Sequence, residues 1–230
     1  MNYFLDSNVI VSHIFSWDSL NIISNNFISS ENYFCSDNVI KEVENVFNEN
    51  CQEYDYFLLM LCRLFENFSD NNFIYFNDVY RFLNRVKPKS KFDIEDMRQA
   101  LRIIWEKLGF NEYHDAFDVK NKFSLFQNDF QSVQNKNKQK TFNYLKIVPN
   151  HTIKDKDIMD MIEKEKLRDY LLHGSDENIL FDANEFCKNK PELNLKFVSA
   201  DQDFLKAINI LMEYLCISDC INLLEFKQNN

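Results

Sequence analysis

The residues of this chain best suited to chemistry are acids that stand at the ends of short apolar runs. Asp6 closes the run Tyr3-Phe4-Leu5, and Asp201 follows Leu195-Lys196-Phe197-Val198-Ser199 after a single alanine. Asp176 opens the stretch ENILFDANEFCKN, and Glu42 lies in the first turns of VIKEVENVF, after the run Tyr33-Phe34-Cys35. Carboxylates gathered in one pocket repel, and one or more is pushed toward protonation. A hard divalent cation, Mg²⁺ or Mn²⁺, removes that penalty through oxygen ligands. A cation held in this way acidifies a water for attack on phosphorus and stabilises the leaving oxygen. No Ser-His-acid set, glycine-rich phosphate loop or Cys-His pattern competes for the same positions.

Each acid also has a plainer reading. Asp6 and Asp201 suit helix N-caps, although Ser7 offers the same cap chemistry beside Asp6. Asp176 suits the positive end of a helix dipole. Glu42 competes with Glu44, which points to another face. Asp203, in the D-x-D pair with Asp201, reads equally as a ligand or a solvated charge. Glu177 and Asp182 read as surface or packing acids, and Asp155, Asp157 and Asp160 as the acidic opening of a helix. Asn8 and Ser199 line the site or make local turn bonds. His173, beside Gly174, reads as a loop residue.

Convergence of these acids requires an alternating α/β arrangement. Strands are expected at 3–5, 33–35, 144–148 and 195–199, with EYLCIS (213–218) as a last strand or the approach to one. Helices are expected from VIVSHIF to about Phe27 with a break near Trp17, over VIKEVENVF, from about Lys154 to Leu172, from Asp176, and over DFLKAINILM. Alternating strands and helices imply a parallel sheet, with ligands beyond the carboxyl ends of its strands. Asp6 and Asp201 then share one edge, and the helix starts that carry Glu42 and Asp176 face it too. Residues 51–143 depart from the pattern. They read as a mainly helical insertion in a single domain (1–230) that packs beside the sheet, with Lys-rich breaks at KPKSK (87–91) and QNKNKQK (134–140) and no internal repeat.

Composition narrows the classes. The chain has 230 residues, 45% hydrophobic and 15% aromatic, enough for a core and against general disorder. Its net charge of −10 counts against a nucleic-acid substrate unless bound cations alter the local field. Arg81, Arg85, Lys87, Lys89, Lys91, Lys136, Lys138, Lys140 and Lys146 are the dense basic positions, read equally as solvated loops or as an RNA-backbone track. The six cysteines include no C-x-x-C pair, which favours buried reduced thiols and a cytoplasmic protein. MNYFLDSNVIV does not read as a signal peptide, and no stretch is apolar and long enough to span a membrane.

Taken in order, YFLDSNVIV, SDNVIKEVENVF, SDENILFDANEF and KFVSADQDFLKA resemble the four acidic segments of the PIN-domain ribonucleases. The resemblance covers residues 1–50 and 144–226 and leaves the helical block unmatched. It implies a PIN-like parallel sheet flanked by helices. It also implies Asp6, Glu42, Asp176 and Asp201 as catalytic acids, with Asp6, Asp176, Asp201 and Asp203 holding Mg²⁺ or Mn²⁺. The implied activity is metal-dependent endoribonuclease hydrolysis of RNA. Many members are toxins of toxin–antitoxin pairs, so an antitoxin partner and a homodimer are further expectations. A PIN-like module without activity, binding RNA or protein, is the alternative. A small-molecule phosphohydrolase is disfavoured because Asp6-Ser7-Asn8 lacks its paired aspartates.

Overall fold

Tyr3-Phe4-Leu5 has no polar face to offer water, and such a strand is stable only where both sides are covered. In the computed structural model this segment is the central strand of a parallel sheet. Residues 1–16, 18–28, 32–85, 94–170 and 174–226 are described. The first half runs β1 (Asn2–Leu5), α1 (Ser7–Ile14), α2 (Asn21–Phe27), β2 (Asn32–Ser36), α3 (Asp37–Glu66), β3 (Phe73–Tyr75), α4 (Phe76–Leu83) and α5 (Ile94–Lys107). There follow β4 (Tyr113–Asp115), α6 (Ala116–Phe142), β5 (Leu145–Val148), α7 (Lys156–Lys164), α8 (Leu167–Tyr170), α9 (Gly174–Asn189), β6 (Lys196–Ser199), α10 (Gln202–Leu211) and β7 (Asp219–Asn222). By its internal contacts the chain divides into two units, Met1–Phe47 with Lys138–Asn230, and Asn48–Asn137.

The first unit is α/β: a five-stranded sheet of order β5-β2-β1-β6-β7, parallel throughout and flanked by helices. Register brings aromatic residues side by side on neighbouring strands. Phe4 pairs with Phe197 and their rings stack at 5.9 Å; Tyr3 pairs with Tyr33 at 6.0 Å. Phe4, Leu5, Val9, Ile10, Cys35, Val39, Val43, Ile179, Leu180, Phe197, Val198 and Ile208 are buried in this core.

The second unit is helical and carries an internal repeat that the sequence reading misses. Its elements recur at an offset of 40 positions: β3 begins at 73 and β4 at 113, α4 at 76 and α6 at 116. The buried residues recur at the same offset, Leu61 with Leu101, Phe65 with Trp105, Val79 with Val119 and Leu83 with Phe123. The two helix–loop–helix copies are joined by antiparallel pairing of β3 and β4, with Ile74 opposite His114.

Three expectations about elements are corrected. The helix after β2 does not stop at VIKEVENVF but continues through Asn48-Glu49-Asn50 to Glu66. The run QNKNKQK is not a break; it lies inside α6, where Gln134 is buried and Lys138 bonds Glu44. The helix expected over 154–172 is interrupted near Lys166, whose φ of 52° is left-handed. The last strand is Asp219–Asn222, and EYLCIS is its approach. Trp17, KPKSK and His173 lie outside the described residues. Among the described residues no helix is long and apolar enough to cross a membrane, and none of the six cysteines forms a disulfide.

Candidate acidic site

Asp6 is placed by the sheet itself. Its backbone N–H donates to Val198 O at 3.0 Å, one residue beyond the end of β1, which fixes it beside β6. The side chain is buried and caps α1, accepting from Ser7 N at 2.7 Å. Its other oxygen accepts from Ser199 Oγ at 2.6 Å and Asn8 Nδ2 at 2.9 Å. Asn8 also bridges to β6, donating to Ser199 Oγ at 3.1 Å and accepting from Ala200 N at 3.0 Å. Both polar supports read from the sequence thus reach across the sheet rather than only bonding locally.

Burial pushes the Asp6 carboxyl up to about 7, against the lowering effect of the Ser199 and Ser7 bonds, and the charges of Glu42 and Asp176 raise it further. Glu42 is also raised, first by burial and then by Asp176, while a hydrogen bond with Ser7 lowers it. Its Oε2 is buried with no hydrogen-bond partner. Three acids from separate elements therefore repel one another: Asp6 after β1, Glu42 in the second turn of α3 and Asp176 in the first turn of α9. A buried carboxylate oxygen without a donor is costly, and a cation is one way to satisfy it.

Asp201 and Asp203 stand differently. Asp201 is exposed and caps α10, its Oδ1 accepting from Asp203 N at 2.8 Å and Phe204 N at 3.1 Å. It connects to Asp6 through Ser199, whose Oγ accepts from Asp201 N at 2.9 Å. Asp203 is exposed and ion-paired with Lys206 at 2.8 Å. Among the described residues, no three His, Cys, Asp or Glu side chains form a ready-made metal-binding group.

Two acids read as surface or packing groups prove to be buried anchors. Glu177 takes Lys154 Nζ at 2.6 Å and Arg168 Nε at 2.8 Å, tying the segment before α7, and α8, to the start of α9. Asp182 accepts from His151 N at 2.7 Å, His151 Nδ1 at 2.6 Å and Asn38 Nδ2 at 3.0 Å, which pins the segment after β5 against α3 and α9. Their sequence signal is weak, since the partners Lys154, Arg168 and His151 stand 9 to 31 residues away. Of the basic positions, Lys138 bonds Glu44 and covers the Phe47 ring, and Lys146 bonds Asn32, so neither is a bare cation. Lys87, Lys89 and Lys91 lie outside the described residues.

Comparison of the chain with protein-family models, with curated proteins and with solved structures gives no match.

Proposed function

We propose that this chain is a metal-dependent endoribonuclease of the PIN type, hydrolysing RNA phosphodiester bonds at the carboxyl edge of its sheet. The observation that carries the reading is the mutual repulsion of Asp6, Glu42 and Asp176, with one Glu42 oxygen buried and unbonded. The strand order, with β1 central and acids following β1 and β6, is compatible with the family resemblance. The donor set is all oxygen and suits a hard divalent ion. Asp6, Glu42 and Asp176 would hold Mg²⁺ or Mn²⁺, with Asp201 and Asp203 on the adjoining turn. When bound, the ion supplies Lewis acidity at phosphorus and an acidified water. The chain's own polar groups do the positioning: Ser199 and Asn8 orient Asp6, and Ser7 orients Glu42.

The cap made by Asp201 and the pairing of Asp203 with Lys206 favour a second reading, a PIN-like module that binds RNA or protein without cleaving. One paired experiment separates the two. RNA cleavage is assayed with Mg²⁺ or Mn²⁺ against EDTA, and thermal melting is followed with and without the ion. Wild type is expected to cleave and to melt several degrees higher with metal, because a ligand that binds only the native state stabilises it. Asp6→Asn is expected to fold, to lose cleavage and to lose the metal-induced shift. RNA binding with neither cleavage nor a metal shift in wild type would establish the second reading instead.

A further inference from the structure

The helical unit carries a surface that the acidic site does not account for. In the β3–β4 pair, Ile74 is buried, so the alternation of strand side chains sends Phe73, Tyr75, Tyr113 and Asp115 to the opposite, solvent-facing side. The three rings are each about half exposed. They form a contiguous row: Phe73 meets Tyr113 edge-on at 5.6 Å, and Tyr75 lies 5.7 Å from Tyr113. Phe117, in the first turn of α6, is exposed to the same degree. Aromatic rows of this kind stack nucleic-acid bases or receive cations, and the surrounding charge decides between them. Residues 69–78 and 109–118 contain Asp70, Asp78, Glu112, Asp115 and Asp118, and neither lysine nor arginine. Lys120, Arg81 and Lys122 offset Asp70, Asp78 and Asp118. Glu112 and Asp115 form no ion pair among the described residues, and Asp115 stands opposite Phe73 in the ladder. A phosphate backbone would meet carboxylates here, whereas a guanidinium or ammonium would meet ring faces and a carboxylate together. A second copy of the chain would bring one acidic face against another.

We propose that the outer face of the β3–β4 pair, with Phe73, Tyr75 and Tyr113 flanked by Asp115, is a docking surface for an arginine- or lysine-bearing segment of a partner protein. The rings bind the cation by their faces, and Asp115 neutralises it. Asp115 keeps an oxygen for this role, because only Oδ1 accepts the α6 cap bonds, from Phe117 N at 3.0 Å and Asp118 N at 3.1 Å.

The test uses the full chain in EDTA at physiological salt, with an amidated hexa-arginine peptide as probe. Hexa-glutamate and an oligouridylate serve as controls. Binding is followed by calorimetry and by amide chemical shifts. Hexa-arginine is expected to shift the resonances of residues 73–75 and 113–117. The combined Phe73→Leu, Tyr75→Leu, Tyr113→Leu variant keeps an apolar surface but removes the rings, and is expected to bind on the order of tenfold more weakly. Asp115→Asn keeps the helix cap and is expected to weaken binding severalfold. General attraction to a chain of net charge −10 is almost unchanged in these variants, so the differences report the face itself. Equal binding by the leucine variant, or shifts confined to other residues, would overturn the proposal. Tighter binding of oligouridylate at the same residues would replace it with base stacking.

Discussion

The Asp201 carboxylate accepts the Asp203 and Phe204 amides, so at this residue a structural role and a chemical one are superimposed. Two substitutions separate them. Asparagine caps a helix about as well as aspartate, whereas alanine costs about 1 kcal/mol. Asp201→Asn is therefore expected to match wild type in urea unfolding and Asp201→Ala to fall about 1 kcal/mol below it, with RNA cleavage lost in both. Cleavage by Asp201→Asn at the wild-type rate would leave Asp201 as a cap alone. At this scale the sequence shows which acids stand at strand ends and helix starts, and topology then brings Asp6, Glu42 and Asp176 within mutual repulsion. It does not show the orphaned Glu42 Oε2 or the hold of Ser199 on Asp6, which depend on how side chains are buried after the sheet has formed.

At the scale of elements, the repeat of the helical unit explains two lysines. The helix–loop–helix of calcium-binding proteins ties its loop together with a bound cation. Here an ammonium from α6 reaches each loop. Lys120 Nζ donates to Phe68 O at 2.6 Å and Asp70 at 2.5 Å, and Lys122 Nζ contacts Asp118 at 2.9 Å and lies 3.5 Å from Leu108 O. Lys120→Met is expected to lower stability by about 1 kcal/mol, chiefly through the carbonyl bond, since its partner Asp70 is well exposed. Lys122→Met, whose carbonyl contact is longer and whose side chain is more exposed, is expected to cost about half that or less. Chemical unfolding of the two variants checks the order, and a larger loss at Lys122 would contradict it. Strands β1, β2 and β6 are legible in the sequence because each is an apolar run ended by a polar residue, whereas β7, Asp-Cys-Ile-Asn, carries no such run. β3 and β4 are not legible, because three residues each carry little pattern and their pairing comes from the repeat. The Asn-Glu-Asn and Gln/Lys/Asn runs also mislead. They have turn composition, yet they lie in helices fixed by buried residues on either side, Phe47 and Cys51 in α3, Phe130 and Thr141 in α6.

Across the whole molecule, the buried Asp6 and the half-buried His13 give stability opposite pH dependences. Asp6, lifted chiefly by burial from 3.8 to about 7, keeps its proton in the native state over a range where the unfolded chain has released it. The native state then binds more protons, so this contribution falls as pH rises through that window. His13 behaves in the reverse way. Burial, aided by Lys140, pushes it from 6.5 down to about 4, and its Nδ1 lies 2.9 Å from the Thr141 hydroxyl. The unfolded imidazole takes up a proton that the native one refuses, so stability falls as pH drops through this second window. Between pH 4 and 6.5 the two slopes oppose each other, each up to about 1.4 kcal/mol per pH unit where its two states differ by a whole proton. Metal-free wild type is therefore expected to vary little in stability from about pH 4.5 to about 6.5 on account of these groups. Removing either group should uncover the other. Asp6→Asn leaves the histidine slope opposed only by Glu42, which burial also raises, so its stability rises with pH relative to wild type. His13→Gln, which keeps a hydrogen-bonding group facing Thr141, leaves the aspartate slope, so its stability falls with pH. Urea unfolding in EDTA at several pH values measures both. Profiles parallel to wild type in the two variants would show that neither group holds its proton as the buried environment dictates, whereas slopes of opposite sign would trace the balance to these two side chains.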